Sequence, residues 1–272
     1  MFRKLLYPLV LSLALVSCFE KDGEEEEDPQ PLADCLVKSS IIENTNGTIA
    51  GQYEYNGQNQ LVKIRYTSGD SSMNYAQFSY SGGRITGKND GYATVNEYNA
   101  QGQIIKQTVT RAFGSGLTET DVYTHTYNTA GQLAQTGLRV QGGLNNIYHY
   151  RYTYNYANGV NNHIKKEAFE STTQDPTTAQ PIPLEDIYLT YDGKKNVLPE
   201  SPLNQYGVNM RYFPFIDWAA GNITSYRVVG PKNQERYTTT MTYIYNAQGY
   251  PVEVLTNEAG QIRKTKYSYS CD

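Results

Sequence analysis

The chain has 272 residues, with 26 tyrosines against 7 phenylalanines and 1 tryptophan, and a formal net charge of −4. That aromatic content excludes a disordered chain, and the want of an uninterrupted apolar run of roughly 18 residues excludes a membrane-spanning helix. Residues 32–272 hold 20 cations and 20 acids, dispersed and balanced, which excludes the basic cluster that a nucleic-acid partner requires.

In chain order, residues 1–17 have the form of an export signal, with Arg3 and Lys4 as a positive start and Leu5 to Val16 as an apolar segment. Leu15-Val16-Ser17-Cys18 resembles the bacterial lipobox. The resemblance implies cleavage before Cys18, acylation of its thiol and new N-terminus, and a membrane partner held through that lipid anchor; each buried methylene contributes about 0.8 kcal/mol. Residues 18–34 then form the lipidated cysteine and an acidic flexible tether. Within it, Glu20, Asp22, Glu24, Glu25, Glu26, Glu27 and Asp28 face Lys21 alone, and Pro29 and Pro31 stiffen the exit. Acidic residues directly behind a lipidated cysteine resemble the surface-export signal of Bacteroidetes lipoproteins. This implies an outer-membrane lipoprotein exposed at the cell surface, with a periplasm-facing attachment as the alternative.

Cys35 and Cys271 stand at the two ends of the remaining body, residues 35–272. In an exported protein they are candidates for a disulfide tying the first strand to the last; two free or buried thiols are the other reading. His125, His149 and His163 have no cysteines nearby, so no metal and no cofactor is expected.

That body carries a repeat: an aromatic residue, usually Asn, two spacers, Gly, a polar residue and an aliphatic one. It reads Tyr55-Asn56 to Asn59-Gln60-Leu61, Tyr98-Asn99 to Gly102-Gln103-Ile104, Tyr127-Asn128 to Gly131-Gln132-Leu133, and Tyr245-Asn246 to Gly249-Tyr250-Pro251. Looser copies start at Tyr80, Tyr154, Tyr191 and Trp218. Asn and Gly tolerate positive φ, so each unit predicts a tight turn between two strands. The flanks alternate with period two, most clearly at Tyr148, Tyr150, Tyr152, Tyr154 and Tyr156, which a strand places on one face. The prediction is an all-β fold: an up-and-down antiparallel meander of about 14 to 16 strands, curled into a barrel-like single domain so that its edges meet. Residues 171–183 and 193–214 interrupt the rhythm and read as exposed loops.

The Tyr-Asn-x-x-Gly-Gln-Leu/Ile units resemble YD repeats of the Rhs type, which build β-hairpin shells; here five units have Tyr-Asn and only Tyr191-Asp192 keeps the Asp. With the lipobox, the acidic tether and Asp192-Gly193-Lys194-Lys195-Asn196, the chain resembles uncharacterised Bacteroidetes lipoproteins whose domain is described as porin-like. That resemblance implies an architecture and is silent on chemistry.

No catalytic motif is present, and no enzyme activity is expected. His125 and His149 are taken to fall in phase with strand tyrosines and read as structural. Glu185 and Asp186 are adjacent in a strand and point to opposite faces. A membrane-spanning barrel needs an apolar outer band, whereas Tyr alternates here with Thr, Ser, Asn, Lys and Arg, and the mean hydropathy is −0.61. The tyrosines can either fill the inner face or offer rings to a sugar. Trp218, with Phe213 and Phe215, is the candidate ligand platform. The expected function is non-catalytic binding of an extracellular glycan or protein partner, with a structural envelope scaffold as the alternative.

Overall fold

A sheet whose strands are apolar on one face only must cover that face, and a long meander can do so by rolling up. The computed structural model describes residues 35–45, 47–69, 71–82, 84–89, 92–112, 118–141, 147–169, 180–196 and 221–271. Contacts divide the chain into Met1–Leu32 and Ala33–Asp272, and all described residues lie in the second unit. The strands are β1 (Leu36–Asn44), β2 (Gly47–Tyr55), β3 (Leu61–Ser68), β4 (Ser71–Ser81), β5 (Arg84–Asn89), β6 (Tyr92–Tyr98), β7 (Ile104–Ala112) and β8 (Thr118–Tyr127). They continue as β9 (Leu133–Gln141), β10 (Ile147–Ala157), β11 (Val160–Phe169), β12 (Pro181–Tyr191), β13 (Ile223–Val229), β14 (Glu235–Tyr245), β15 (Pro251–Glu258) and β16 (Gln261–Ser270). Each pairs antiparallel with its sequence neighbours and β1 pairs with β16, so the meander closes into a 16-stranded barrel. Among the described residues there is no helix.

One rim is built from the repeat. Asn128 N–H donates to the Gln132 carbonyl at 2.8 Å and Gly131 N–H to the Asn128 carbonyl at 2.9 Å. The Asn128 side-chain oxygen accepts from the N–H of Ala130 and Gln132 at 3.0 and 2.9 Å. The same backbone frame recurs around Asn56, Asn99 and Asn246. Its fourth residue must take positive φ, which Gly131 does at 79° and Asn59 at 58°. Adjacent turns are linked as well: the Gln103 amide donates to the Gly131 carbonyl and the Gln132 amide to the Gly159 carbonyl, both at 2.9 Å.

Behind each hairpin on this rim lies a β-bulge. Pairing skips Val62, Thr86, Ile105, Ala134, Asn162, Thr224 and Val252, always the residue after the one opposite the last tyrosine of the preceding strand. Bulges add right-handed twist, which a sheet needs in order to close. They also end the ladder early on the far side of the bulged strand. β9 pairs with β10 only from Gln135 onward, and the Tyr156 hydroxyl reaches back to the Leu133 carbonyl at 3.0 Å. Tyr55, Tyr80, Tyr98, Tyr127 and Tyr269 do the same for the carbonyls of Val37, Leu61, Ile85, Ile104 and Pro251. A buried carbonyl left unpaired costs about 1–3 kcal/mol. A rigid ring with a donor at its tip spans this gap, and the repeat selects tyrosine for that reason. Burial, with the neighbouring Tyr98, pushes the Tyr80 and Tyr127 phenols up to about 12, so both remain donors.

Three copies of the repeat differ from their sequence reading. The copy placed at Tyr154 is registered on Tyr156, because β10 runs on to a two-residue Asn158-Gly159 turn with both residues at positive φ. The copies placed at Tyr191 and Trp218 are two halves of one turn. Asp192 N–H donates to the Asn222 carbonyl at 3.0 Å, and the Asp192 side chain accepts from the N–H of Lys194 and Asn222 at 2.9 Å each. Asp192, Gly193 and Lys194 thus open the frame and Gly221 and Asn222 finish it, with the intervening residues inserted between.

The buried face holds one cluster formed by Tyr123, Leu138, Val140, Tyr152, Tyr154, Ile164, Ile187, Leu189, Ile223, Tyr226 and Val228, from β8 to β13. A smaller one joins Leu61, Ile64, Ala76, Phe78 and Ile85 of β3 to β5. Beyond the larger cluster the inner face turns polar: His125 shares the Thr136 hydroxyl with Tyr154, at 3.0 and 3.1 Å, and the Gln107 amide donates to Asn96 at 3.0 Å. Burial lowers the His125 imidazole to about 4, so it is neutral in the folded barrel.

Candidate functional site

Cys35 and Cys271 are joined by a disulfide, where β1 and β16 meet at the turn rim. Cys18, Trp218, Phe213 and Phe215 lie outside the described residues. His125 is on the inner face between Tyr123 and Tyr127, but His149 is not in phase with the β10 tyrosines: it stands on the opposite face between Tyr148 and Tyr150, and is buried there. Glu185 and Asp186 do part to opposite faces. Among the described residues no group of His, Cys, Asp or Glu is arranged to hold a metal.

Glu185 leads to a cluster that the repeat does not announce. At the rim opposite the turns, the inner face carries a charged row immediately outside the dry cluster. Lys166 pairs in register with Tyr152 on one side and Glu185 on the other. Its ammonium lies 3.2 Å from one Glu185 oxygen, and the Arg236 guanidinium lies 2.5 Å from the other. The same ammonium sits 5.8 and 5.9 Å from the Tyr150 and Tyr152 ring centres, within reach of cation–π attraction. Across from it, the Tyr226 and Tyr237 hydroxyls are 3.4 Å apart and their rings 5.9 Å apart. Below lie Ile164, Ile187 and Val228, at 0–1% exposure, while Tyr237 is 39% and Tyr148 52% exposed. An apolar floor with exposed rings and a few fixed charges can orient a polar ligand. Lys166, Glu185 and Arg236 come from three strands, so only their pairing register brings them together; no spacing in the sequence signals it.

A second polar node sits at the turn rim, at the interrupted turn. The Asp192 carboxylate accepts from the Tyr245 hydroxyl, from two backbone N–H groups and from the Asn222 amide. Burial works to raise its pKa, but these donors outweigh it and hold the carboxyl below its ordinary value. The Asn222 amide also binds the Lys195 carbonyl at 2.8 Å, and the Lys195 ammonium lies 4.5 Å over the Tyr250 ring. Because Tyr245 is engaged by Asp192, the Ile223 carbonyl is served instead by Tyr243, at 2.7 Å. This node is structural in form: every donor and acceptor in it fixes the two strand ends that flank the insertion.

The outer face carries ion pairs. Arg65–Glu54, Lys106–Glu97, Lys264–Glu253 and Lys266–Glu43 pair across neighbouring strands at 2.6–3.1 Å. Arg151 and Lys165 flank Glu167 at 2.7 and 2.8 Å; burial works to raise that carboxyl, and the two cations hold it below its ordinary value. A lipid-facing Lys or Arg costs roughly 2–4 kcal/mol at the bilayer midplane and less toward its edges, a cost that these side chains would carry against hydrocarbon.

No protein family and no curated protein sequence matches this chain. Solved structures do. A porin-like protein from Bacteroides uniformis ATCC 8492 matches 86% of this chain and 98% of its own length, at 16% identity and a TM-score of 0.50. A porin-like protein from Bacteroides vulgatus ATCC 8482 matches 87% of this chain and 99% of its own, at 10% identity and a TM-score of 0.40. The first likeness is one of fold: this barrel is of the kind found in a Bacteroides protein described as porin-like, the architecture that the sequence resemblance implies. The second is too distant to carry an argument.

Proposed function

We propose that this chain is a non-catalytic envelope lipoprotein, tethered through Cys18 and exposed at the cell surface, whose barrel binds an extracellular glycan or protein at the rim opposite its turns. The carrying observation is the Tyr150, Tyr237, Lys166, Glu185 and Arg236 group set on a dry floor. The ion-paired outer wall supports a barrel held in water by a lipid tether over one inserted in the bilayer. β1 begins at the turn rim, so the binding rim lies at the end of the barrel remote from the point where the chain enters it.

Titration calorimetry of the full chain against a panel of polysaccharides and envelope extracts tests this. Binding is expected to be saturable, and Tyr237→Ala and Lys166→Ala each weaken it about tenfold, a loss of about 1.4 kcal/mol, with unchanged melting. Trp218→Ala reports whether the aromatic group singled out in the sequence belongs to the same site. If no component of the panel binds, the structural scaffold is the reading that stands.

A further inference from the structure

The barrel has sixteen strands but only seven connections on its turn rim, because β1 starts and β16 ends there. At the β16–β1 junction the features of a repeat turn are nonetheless present. Tyr269 pairs with Val37 as Tyr127 pairs with Leu133, and pairing then skips Lys38 as it skips Ala134. The Val37 carbonyl receives the Tyr55 hydroxyl just as the Leu133 carbonyl receives that of Tyr156. Aligned in this way, Ser270 and Cys271 take the places of Asn128 and Thr129, and Cys35 and Leu36 those of Gly131 and Gln132.

The rim ladder gives the same alignment independently. Gln132, the residue after the turn glycine, reaches the next turn at its glycine position, Gly159. Tyr250 holds the equivalent place in the β14–β15 turn, and its hydroxyl accepts from Cys35 N–H at 3.2 Å. Tyr250 is fully buried, packs on Tyr269 with ring centres 5.3 Å apart, and lies 3.5 Å from the Lys195 ammonium through its hydroxyl.

We propose that the Cys35–Cys271 disulfide is the eighth turn of a ring of eight hairpins, and that it makes the closure of the barrel redox-sensitive, with Tyr250 transmitting its state to Lys195 at the base of the insertion. Cys271 is exposed and Cys35 buried, so a dithiol attacks the Cys271 sulfur as thiolate and expels Cys35. Its second thiol then releases Cys271. Two electrons and two protons pass to the protein, leaving two thiols there and one disulfide in the reductant. Opening this covalent link restores to the unfolded chain the freedom of a loop of 236 residues.

The test compares the full chain before and after treatment with dithiothreitol, by thermal melting and amide hydrogen exchange. The melting point is expected to fall by about 10 °C. Protection is expected to drop first in β1, in β16 and at residues 192–196, while β8 to β11 keep theirs; a Tyr250→Phe chain should lose the response at 192–196 but not at the strands. An unchanged melting point, or protection lost evenly around the ring, overturns the proposal. A second variant separates a turn from a generic cross-link. Asp272 is joined directly to residue 35, which restores the five-residue spacing, with Cys35→Gly and Cys271→Ser. New ends open between residues 142 and 146, and residues 1–34 are kept ahead of the new start. It should melt within a few degrees of the oxidised protein and ignore dithiothreitol; melting as low as the reduced protein would overturn the turn assignment.

Discussion

The two rims of this barrel are made of the same strands and yet obey different rules. At the turn rim nearly every polar atom described is spoken for: Asn side chains hold backbone N–H groups, Gln amides join one turn to the next, and tyrosine hydroxyls finish the ladder where bulges cut it short. At the opposite rim the connections vary, from two residues between β1 and β2 or β15 and β16, through five between β7 and β8, to eleven between β11 and β12. There the rings of Tyr148 and Tyr237 remain exposed and charges gather on the inner face. One rim uses its tyrosines to close the sheet; the other has tyrosines to spare. Binding groups can accumulate only where the frame does not already need them.

This contrast can be broken or sharpened by substitution. The largest effect belongs to the floor that both rims share. Ile164→Ala is expected to cost about 2–5 kcal/mol in urea unfolding, since it empties a fully buried site in the main cluster. Acid comes next. His125 binds a proton in the unfolded chain below about pH 6.5 and in the barrel only near 4, so the unfolded state holds more protons between those values and stability falls as pH drops through that window. The loss reaches about 2–3 kcal/mol by pH 4 and is expected to be absent in His125→Gln, measured as the pH dependence of the urea midpoint. Third, Tyr127→Phe should cost about 1–2 kcal/mol by stranding the Ile104 carbonyl, whereas Tyr148→Phe, more than half exposed at the other rim, should change stability by less than about 0.5 kcal/mol. Equal costs for the two would erase the distinction between the rims. Smallest is Arg236→Ala, expected within about 0.5 kcal/mol because the side chain is 42% exposed and its ion pair is screened by solvent; its effect should show in ligand affinity instead.

The repeat was legible because a turn that needs positive φ advertises itself with Asn and Gly, and because a strand with one buried face alternates. It was less legible where a unit lacks its Asn or is interrupted. Asn158-Gly159 closes its hairpin in two residues and moves the anchoring tyrosine from Tyr154 to Tyr156. Asp192 and Asn222 reverse the usual donor and acceptor of the Asn–Gln pair: Asn128 donates its amide to Gln132 at 3.0 Å, whereas Asn222 donates to Asp192 at 3.3 Å. A sequence pattern cannot show that two fragments thirty positions apart complete one frame. The charged group of Lys166, Glu185 and Arg236 was invisible for a related reason, since the bulges around it shift the register by which three strands align.

By itself the sequence determined the class of fold and the chemistry of the turns, because these rest on local preferences: period two and positive φ. Tertiary structure alone decided the register in which β16 meets β1, that a disulfide stands where an eighth turn would be, and that tyrosine hydroxyls serve carbonyls on neighbouring strands. Those are contacts between residues from 13 to more than 200 positions apart, set by bulges, register and curvature acting around the whole ring.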